Sequence, residues 1–293
     1  MTENAMCLAV LSDIHGNLPA LQAVVADMQQ YGVDGIVVAG DFIGSPQPNE
    51  TIALLRSLGS RMIRGNSDNN LLRYESNDLP DSWRNDLQFA LLRWAFRHVN
   101  RETFEFLRSL PEQRVIELPG AAAIRVVHGS PRHPAEAIYP NSDPALLDLV
   151  LAQVDEPVLV CGHTHEPWAL TRNGKLALNP GAVCGPLNGY VGAQYALLTW
   201  KHDHWQVEQR AVPYDITQIQ DAFRASGLWE EGGMLARLFL RSIEIGQNVT
   251  EDFLSYAHGL AAQHGLRDCE YIPDIIWERA TATFDTHIGC AGT

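Results

Sequence analysis

The chain has 293 residues, 46% hydrophobic and 19% charged. These values exclude a collagenous, low-complexity or disordered protein and, at ~100–200 residues per domain, allow one large domain or one with an appendage. The formal charge of −14 opposes non-specific nucleic-acid binding, which needs many phosphates neutralised by basic side chains.

Residues 6–12 and Ile36 to Ala39 are short apolar runs of the kind buried on both faces of a parallel sheet. Between them Leu18, Leu21, Val24, Val25 and Met28 recur at helical spacing, with Gly32 as a stop. Pro48 to Leu58 predicts a second helix and Arg61 to Arg64 a third strand. Residues 70–110 read as helices elaborating one side, with Leu87, Leu91, Trp94 and Ala95 on one stripe and Phe104, Leu107 and Leu110 on the next. Strands return at Val115 to Leu118 and Ala122 to Val127, then a helix at Pro144 to Val154 and a strand at Pro157 to Cys161. Hairpins are expected around Asn173-Gly174 and between Tyr195–Trp200 and Trp205–Val212.

From Asp215 onward the pattern is helical, with capping-box spacing at Asp215/Gln218 and Asn248/Glu251. A boundary near 215 divides residues 1–215 from a C-terminal helical extension, 216–293. Met234 to Ile245 is apolar on nearly every face, so it needs cover from the main domain or from a second copy. The extension is therefore read as a cap or a homodimerisation element. The tryptophans, Trp83, Trp94 and Trp277 among them, read as core or interface anchors and not as platforms for bases. Cys7, Cys161, Cys184, Cys269 and Cys290 include no C-x-x-C pair and read as reduced thiols. No stretch approaches the ~18 uncharged apolar residues of a membrane span, and no Lys or Arg precedes Arg56 to open a signal peptide. A cytoplasmic protein without a membrane partner is expected.

Five short motifs each follow a predicted strand. Alone, each has an ordinary explanation: Asp13-Ile14-His15 an Asx-turn, Asp41 a cap, Gly65-Asn66-Ser67-Asp68 a turn, His128 a hydrogen-bonded strand-end histidine. His163-Thr164-His165, two imidazoles straight after a buried strand and a glycine, is harder to dismiss. Together they put Asp13, His15, Asp41, Asn66, His128, His163 and His165 at the strand edge where open α/β sheets carry their sites. Oxygen and nitrogen donors without a thiolate suit Mn, Fe, Zn, Co or Ni. Seven are too many for one tetrahedral ion, whereas two divalent transition-metal ions sharing a carboxylate use them all, manganese being the first choice. His202-Asp203-His204 and Asp285-Thr286-His287 read instead as a polar hairpin turn and a surface segment.

The ordered series Asp-x-His, Gly-Asp, Gly-Asn-x-Asp, Val-His-Gly and Gly-His-Thr-His resembles the calcineurin-like metallophosphoesterase superfamily. The contexts Val127-His128-Gly129-Ser130-Pro131 and Asn179-Pro180-Gly181 are similar to its small bacterial and archaeal phosphodiesterase branch. The resemblance covers roughly residues 6–214. It implies an α/β fold, a four-layer αββα sandwich of two mixed sheets flanked by helices. By that resemblance Asp13, His15, Asp41 and His165 would hold one metal, and Asp41, Asn66, His128 and His163 the other, with Asp41 bridging.

The resulting expectation is a dinuclear metal-dependent phosphoesterase, hydrolysing small phosphodiester or nucleotide-like substrates by attack of a metal-bridging hydroxide, with Asp41, Asn66 and His128 catalytic. Arg132 and His133 are the candidate substrate contacts, since a planar guanidinium suits an oxyanion. Phosphatases similar to this chain place a histidine after the motif's asparagine; here that position is Ser67. Losing a general acid hurts poor leaving groups most, which favours diesters or activated esters unless His133 or Asp68 donates the proton. The alternatives are a phosphomonoesterase of nucleotides or proteins and a non-catalytic scaffold of the same fold, as the retromer scaffold subunit is.

Overall fold

A computed structural model describes residues 6–76, 79–267 and 271–284. Asp285-Thr286-His287, Cys269 and Cys290 lie outside them. Strand β1 (Met6–Leu11), helix α1 (Leu18–Met28), β2 (Gly35–Val38), α2 (Pro48–Ser57) and β3 (Arg61–Met62) come first. Helices α3 (Asn66–Arg73), α4 (Asp81–Asn85), α5 (Ala90–His98) and α6 (Arg101–Ser109) follow. Next are β4 (Gln113–Ile116), β5 (Ile124–Val127), α7 (Pro144–Ala152), β6 (Val158–Val160), and the hairpins β7 (Pro167–Arg172)/β8 (Lys175–Pro180) and β9 (Ala193–Lys201)/β10 (His204–Val212). The chain ends in α8 (Ile216–Ala225), α9 (Leu228–Glu231), α10 (Gly233–Ile245), α11 (Val249–Gln263) and α12 (Asp274–Thr283).

Two mixed five-stranded sheets result, ordered β10-β9-β1-β2-β3 and β4-β5-β6-β8-β7. β1, β2 and β3 run parallel, as do β5, β6 and β8. Side chains alternate across each strand. Leu8, Val10, Val37 and Ala39 thus meet Ile124, Val126, Val158 and Val160 in the layer between the sheets. Ala9, Leu11, Ile36 and Val38 face the outer helices, while Leu159, Cys161 and Ala177 pack on Leu147, Val150 and Leu151 of α7. The four-layer αββα sandwich expected from the sequence is the fold observed.

The expected helical region at 70–110 breaks into several short helices. Leu87 leaves its stripe there, sitting 38% exposed in a short 3₁₀ turn. After β10 the chain turns helical at Ile216, where Asp215 caps α8 by accepting from the Thr217 amide. Gln218 meets the Asp215 carboxylate and not its amide, so the reciprocal half of a capping box does not form.

The extension shares the main core. Ile219, Phe223, Leu228, Ala236, Leu240 and Ile243 pack with the outer face of the first sheet. The other side of α10 joins α11 and α12 through Leu238, Phe253, Ala257 and Trp277. The apolar α10 is therefore covered within one chain. No helix among the described residues is long and apolar enough to cross a membrane.

Candidate metal centre

The first sheet delivers Asp13 and His15 after β1, Asp41 after β2 and Asn66 at the start of α3; the second delivers His128 after β5 and His163 and His165 after β6. The chain leaves these strands abruptly. Asp13, His15, Asp41, His163 and His165 sit at φ of 54°, 43°, 59°, 69° and 58°, a left-handed backbone that costs a non-glycine residue ~1–2 kcal/mol. Among the described residues the other non-glycine cases, Asn173, His202 and Asp203, are hairpin turns. Strain of this kind persists only where its surroundings over-determine it.

Those surroundings are hydrogen bonds between the strand ends. The amides of Asp13 and His15 donate to the carbonyls of Gly40 (3.0 Å) and Asp41 (2.9 Å). Within the second sheet the Gly162 amide donates to His128 O at 2.6 Å, and the amide of His163 donates to Asp13 Oδ2 at 3.0 Å, joining the two sheets. Approach this close requires glycine: a Cβ on Gly65 would lie 2.0 Å from Asp41 Oδ1, and one on Gly162 1.9 Å from Ser12 Oγ.

The side chains converge. Asp41 reaches both ways, with Oδ1 3.4 Å from His128 Nε2 and Oδ2 3.7 Å from His15 Nε2. Asp13 Oδ1 lies 3.3 Å from His165 Nε2, 3.7 Å from His15 Nε2 and 3.9 Å from His128 Nε2. Asn66 Oδ1 is 3.0 Å from His128 Nε2, and the His163 ring stands edge-on to that of His128 at 5.4 Å. Asp13, His15 and His165 form one group that could hold a metal ion; Asp13, Asp41 and His128 form another.

Three histidines are fixed in one tautomer by their other nitrogen. Nδ1 of His15, His128 and His165 lies 2.6, 2.7 and 2.8 Å from the carbonyl oxygens of Ile43, Ala39 and Gly185. A carbonyl only accepts, so each Nδ1 carries the proton and Nε2 is the nitrogen left for the site. Burial raises the Asp13 carboxyl, yet His165, His128 and His15 outweigh it and hold the group well below the ordinary carboxylate range. Asp41, where burial likewise opposes and His128 and His15 prevail, falls to about 2. Burial disfavours a charged His128, but Asp41 and Asp13 push it up to about 10.

Two buried, ionised carboxylates thus draw cations between them. Asp13 Oδ1 is buried with no hydrogen-bond partner, and the Nε2 atoms of His15 and His165 stand 3.1 Å apart, so a proton or a metal ion must lie between them. This donor set fits divalent metal binding.

A cavity of about 230 Å³ opens on this cluster, lined by His15, Asp41, Asn66, His163 and His165 together with Leu187 and, from the C-terminal helices, Phe239, Ser242, Asn248 and Thr250. The Phe239 ring packs edge-on against His15 at 5.2 Å. Arg132 and His133, expected to contact substrate, are not among the lining residues. The Arg132 guanidinium is engaged by Glu136, whose carboxylate also accepts from Ser130, and His133 Nδ1 accepts from the Ala135 amide. Asp68 is turned inward, its carboxylate accepting from the amides of Gly65 (2.8 Å), Phe42 (2.9 Å) and Asp41 (3.1 Å). It positions Asp41 and Asn66 and is not directed at the cavity as a proton donor. Asn179 clamps the His163 loop by donating to Gly162 O (2.7 Å) and Thr164 Oγ1 (3.0 Å). The wall residues from α10 and α11 escaped the sequence reading; the surplus of apolar residues on α10 was the only local sign of them.

Comparison with known proteins identifies the family. Residues 6–203 match the family model described as the calcineurin-like phosphoesterase superfamily domain. An uncharacterised protein of Methanocaldococcus jannaschii is 31% identical over 249 residues, covering 80% of this chain and 97% of its own. A metallophosphoesterase from Sphaerobacter thermophilus superposes with a TM-score of 0.66 at 30% identity, over 83% of this chain and all of its own. A hypothetical protein from Pyrococcus horikoshii shares the fold at 23% identity, with a TM-score of 0.69 over 82% of this chain and 98% of its own.

Proposed function

From the membership of this chain in the calcineurin-like phosphoesterase superfamily, we propose that it is a dinuclear metal-dependent phosphoesterase acting on small phosphodiesters. The observation that carries the reading is the convergence of Asp13 and Asp41 between His15, His128 and His165, with each Nδ1 anchored and each Nε2 turned inward. Asp13, His15, Asp41 and His165 would hold one ion, and Asp41, Asn66, His128 and His163 the other, with manganese the first choice. Bound dications supply Lewis acidity to the phosphoryl oxygens and hydroxide near neutral pH.

The chain's own residues do the rest. Asn66, a neutral oxygen donor beside His128, adds no negative charge against an anionic substrate. Asn248 caps α11 and lines the cavity with Thr250, which brings the first turn of that helix, with Glu251 and Asp252, to the cavity wall. Phe239 and Leu187 add apolar wall to the cavity. Diesters are favoured because, among the described residues, no proton donor stands where the leaving alkoxide needs one: Ser67 occupies that place, Asp68 is held by three amides, and His133 lies off the cavity.

The test is elemental analysis of the purified chain with assays on bis(4-nitrophenyl) phosphate and 4-nitrophenyl phosphate, before and after chelation. Two ions per chain, diester turnover lost on chelation and restored by manganese, and a gain on the monoester in Ser67→His of up to the ~10²–10⁴-fold typical of general acids are expected. Preference for the monoester in the wild type would shift the reading to a phosphomonoesterase. Lack of turnover with every dication would leave a binding scaffold.

A further inference from the structure

A second cavity, of about 270 Å³, is lined by different residues of the same helices and loops as the first. Phe239 of α10 and Thr250 of α11 line the metal cavity, and Leu235 and Leu254, each four residues away on the same helix, line the second. Residues four apart share one helix face, so the two chambers sit side by side along α10 and α11. The loops repeat the relation: Asn66 and Asp41 face the metal cavity, Ser67 and Ile43 the other.

The second chamber is chemically different. Trp83, Phe89 and Trp277 wall it, with Trp83 and Phe89 stacked at 5.2 Å and 21°. Its lining is mainly apolar: Gln88 is held by the backbone of Ile272, and the Nε1 of Trp83 and the Oγ of Ser67 are buried within the walls. The helical elaboration and the C-terminal extension build most of this chamber, and Ile43, Gly44 and Ser67 from the loops of the metal centre complete it.

We propose that this chamber takes the flat aromatic alcohol of a phosphoester whose phosphoryl group lies in the metal cavity. The proposal rests on the phosphoesterase reading and names its substrate class: an aryl ester of phosphate. Roughly 150 Å³ suffices to hold benzene in an engineered core, so a chamber of about 270 Å³ admits a one- or two-ring aryl group. Apolar contact with Phe89, Leu235 and Leu254 supplies the affinity.

Two measurements test it. In the first, 1-naphthol is titrated calorimetrically into the metal-free full chain, then into Leu254→Trp and Leu235→Phe, which fill the chamber to different extents. Saturable binding that weakens about tenfold or more in both variants is expected, since even a single methylene in an apolar pocket changes discrimination by ~10–200-fold. The absence of binding in the wild type, or equal binding in all three, overturns the proposal. In the second, kcat/KM is compared for methyl 1-naphthyl phosphate and methyl trifluoroethyl phosphate, taken as a ratio so that intrinsic leaving-group reactivity cancels between proteins. That ratio should fall about tenfold in the same variants; an unchanged ratio also overturns the proposal. Naphthol binding that the variants block, with no ester hydrolysed under any dication, would keep the chamber and reject the phosphoesterase reading.

Discussion

His163-Thr164-His165 and His202-Asp203-His204 are near-identical strings, each following a strand and each containing two residues at positive φ. They end as opposites. His165 is 8% exposed against Asp13, whereas His202, Asp203 and His204 are exposed and His204 Nδ1 meets only the neighbouring His202 carbonyl, at 3.0 Å. The difference lies in what stands beyond the strand. β6 is central and parallel, and its end abuts Ser12 and Asp13 of the other sheet through Gly162. β9 folds straight back onto β10 with His204 opposite Lys201, so its turn points at solvent. A left-handed histidine marks a site only where a second sheet meets it.

The largest expected effect comes from removing the charge that two sheets share. Asp41→Asn should lower kcat by at least the ~10²–10³-fold that one charge-stabilising group commonly contributes in a hydrolytic site, with metal content falling in parallel. His204→Ala should leave metal content intact and keep stability within about 0.5 kcal/mol, as surface substitutions usually do. Metal loss in His204→Ala would break the comparison.

Next in size is Asn179→Ala. Asn179 touches no candidate ligand side chain but holds the loop through Gly162 O and Thr164 Oγ1. Partners that orient ligands are typically worth 10–100-fold in metal affinity. A metal titration should show a loss of about that size with the fold retained; unaltered affinity would mean that the strained loop holds its shape without Asn179.

Several of the candidate ligands are legible in the sequence because they announce themselves locally. An apolar run that ends in a glycine and a polar residue fixes both the strand and the edge at which that residue emerges. Gly40-Asp41, Gly65-Asn66 and Gly162-His163 all follow that grammar. The cavity walls do not. Phe239, Ser242 and Thr250 come from helices whose placement depends on how α10 packs between the first sheet and α11, and helical spacing gives a buried face without saying what it faces. Trp83 and Trp277 read as core anchors; both are buried and they also wall the second chamber. The partner of Arg132 is nearer in sequence: Glu136, four residues on, holds its guanidinium.

A moderate effect should appear with pH. In the metal-free chain the folded-state pKa of His128 is raised from 6.5 to about 10, with burial opposing and Asp41 and Asp13 prevailing. A raised folded pKa contributes stability that is complete below the unfolded value and lost as pH climbs through the folded one. The melting temperature of metal-free protein should therefore decline from about pH 6.5 toward pH 10 through this group. An incoming ion must also displace that proton, so metal affinity should rise across the same interval. A metal affinity independent of pH there would show that His128 is not a ligand.

The smallest effect distinguishes removable strain from strain that the fold requires. Asp203 sits at φ 61° in the second position of the β9–β10 turn, where a two-residue hairpin of this backbone favours glycine. Asp203→Gly should raise stability by a few tenths of a kcal/mol, below the ~1–2 kcal/mol cost of a left-handed residue, because glycine also has more unfolded-state freedom to lose. His163→Gly relieves the same angle but removes an imidazole beside His128, so any gain in melting temperature should come with loss of bound metal. Calorimetry with elemental analysis on both variants reads the two quantities together. Metal retained in full by His163→Gly would place that histidine with the hairpin residues and not with the centre.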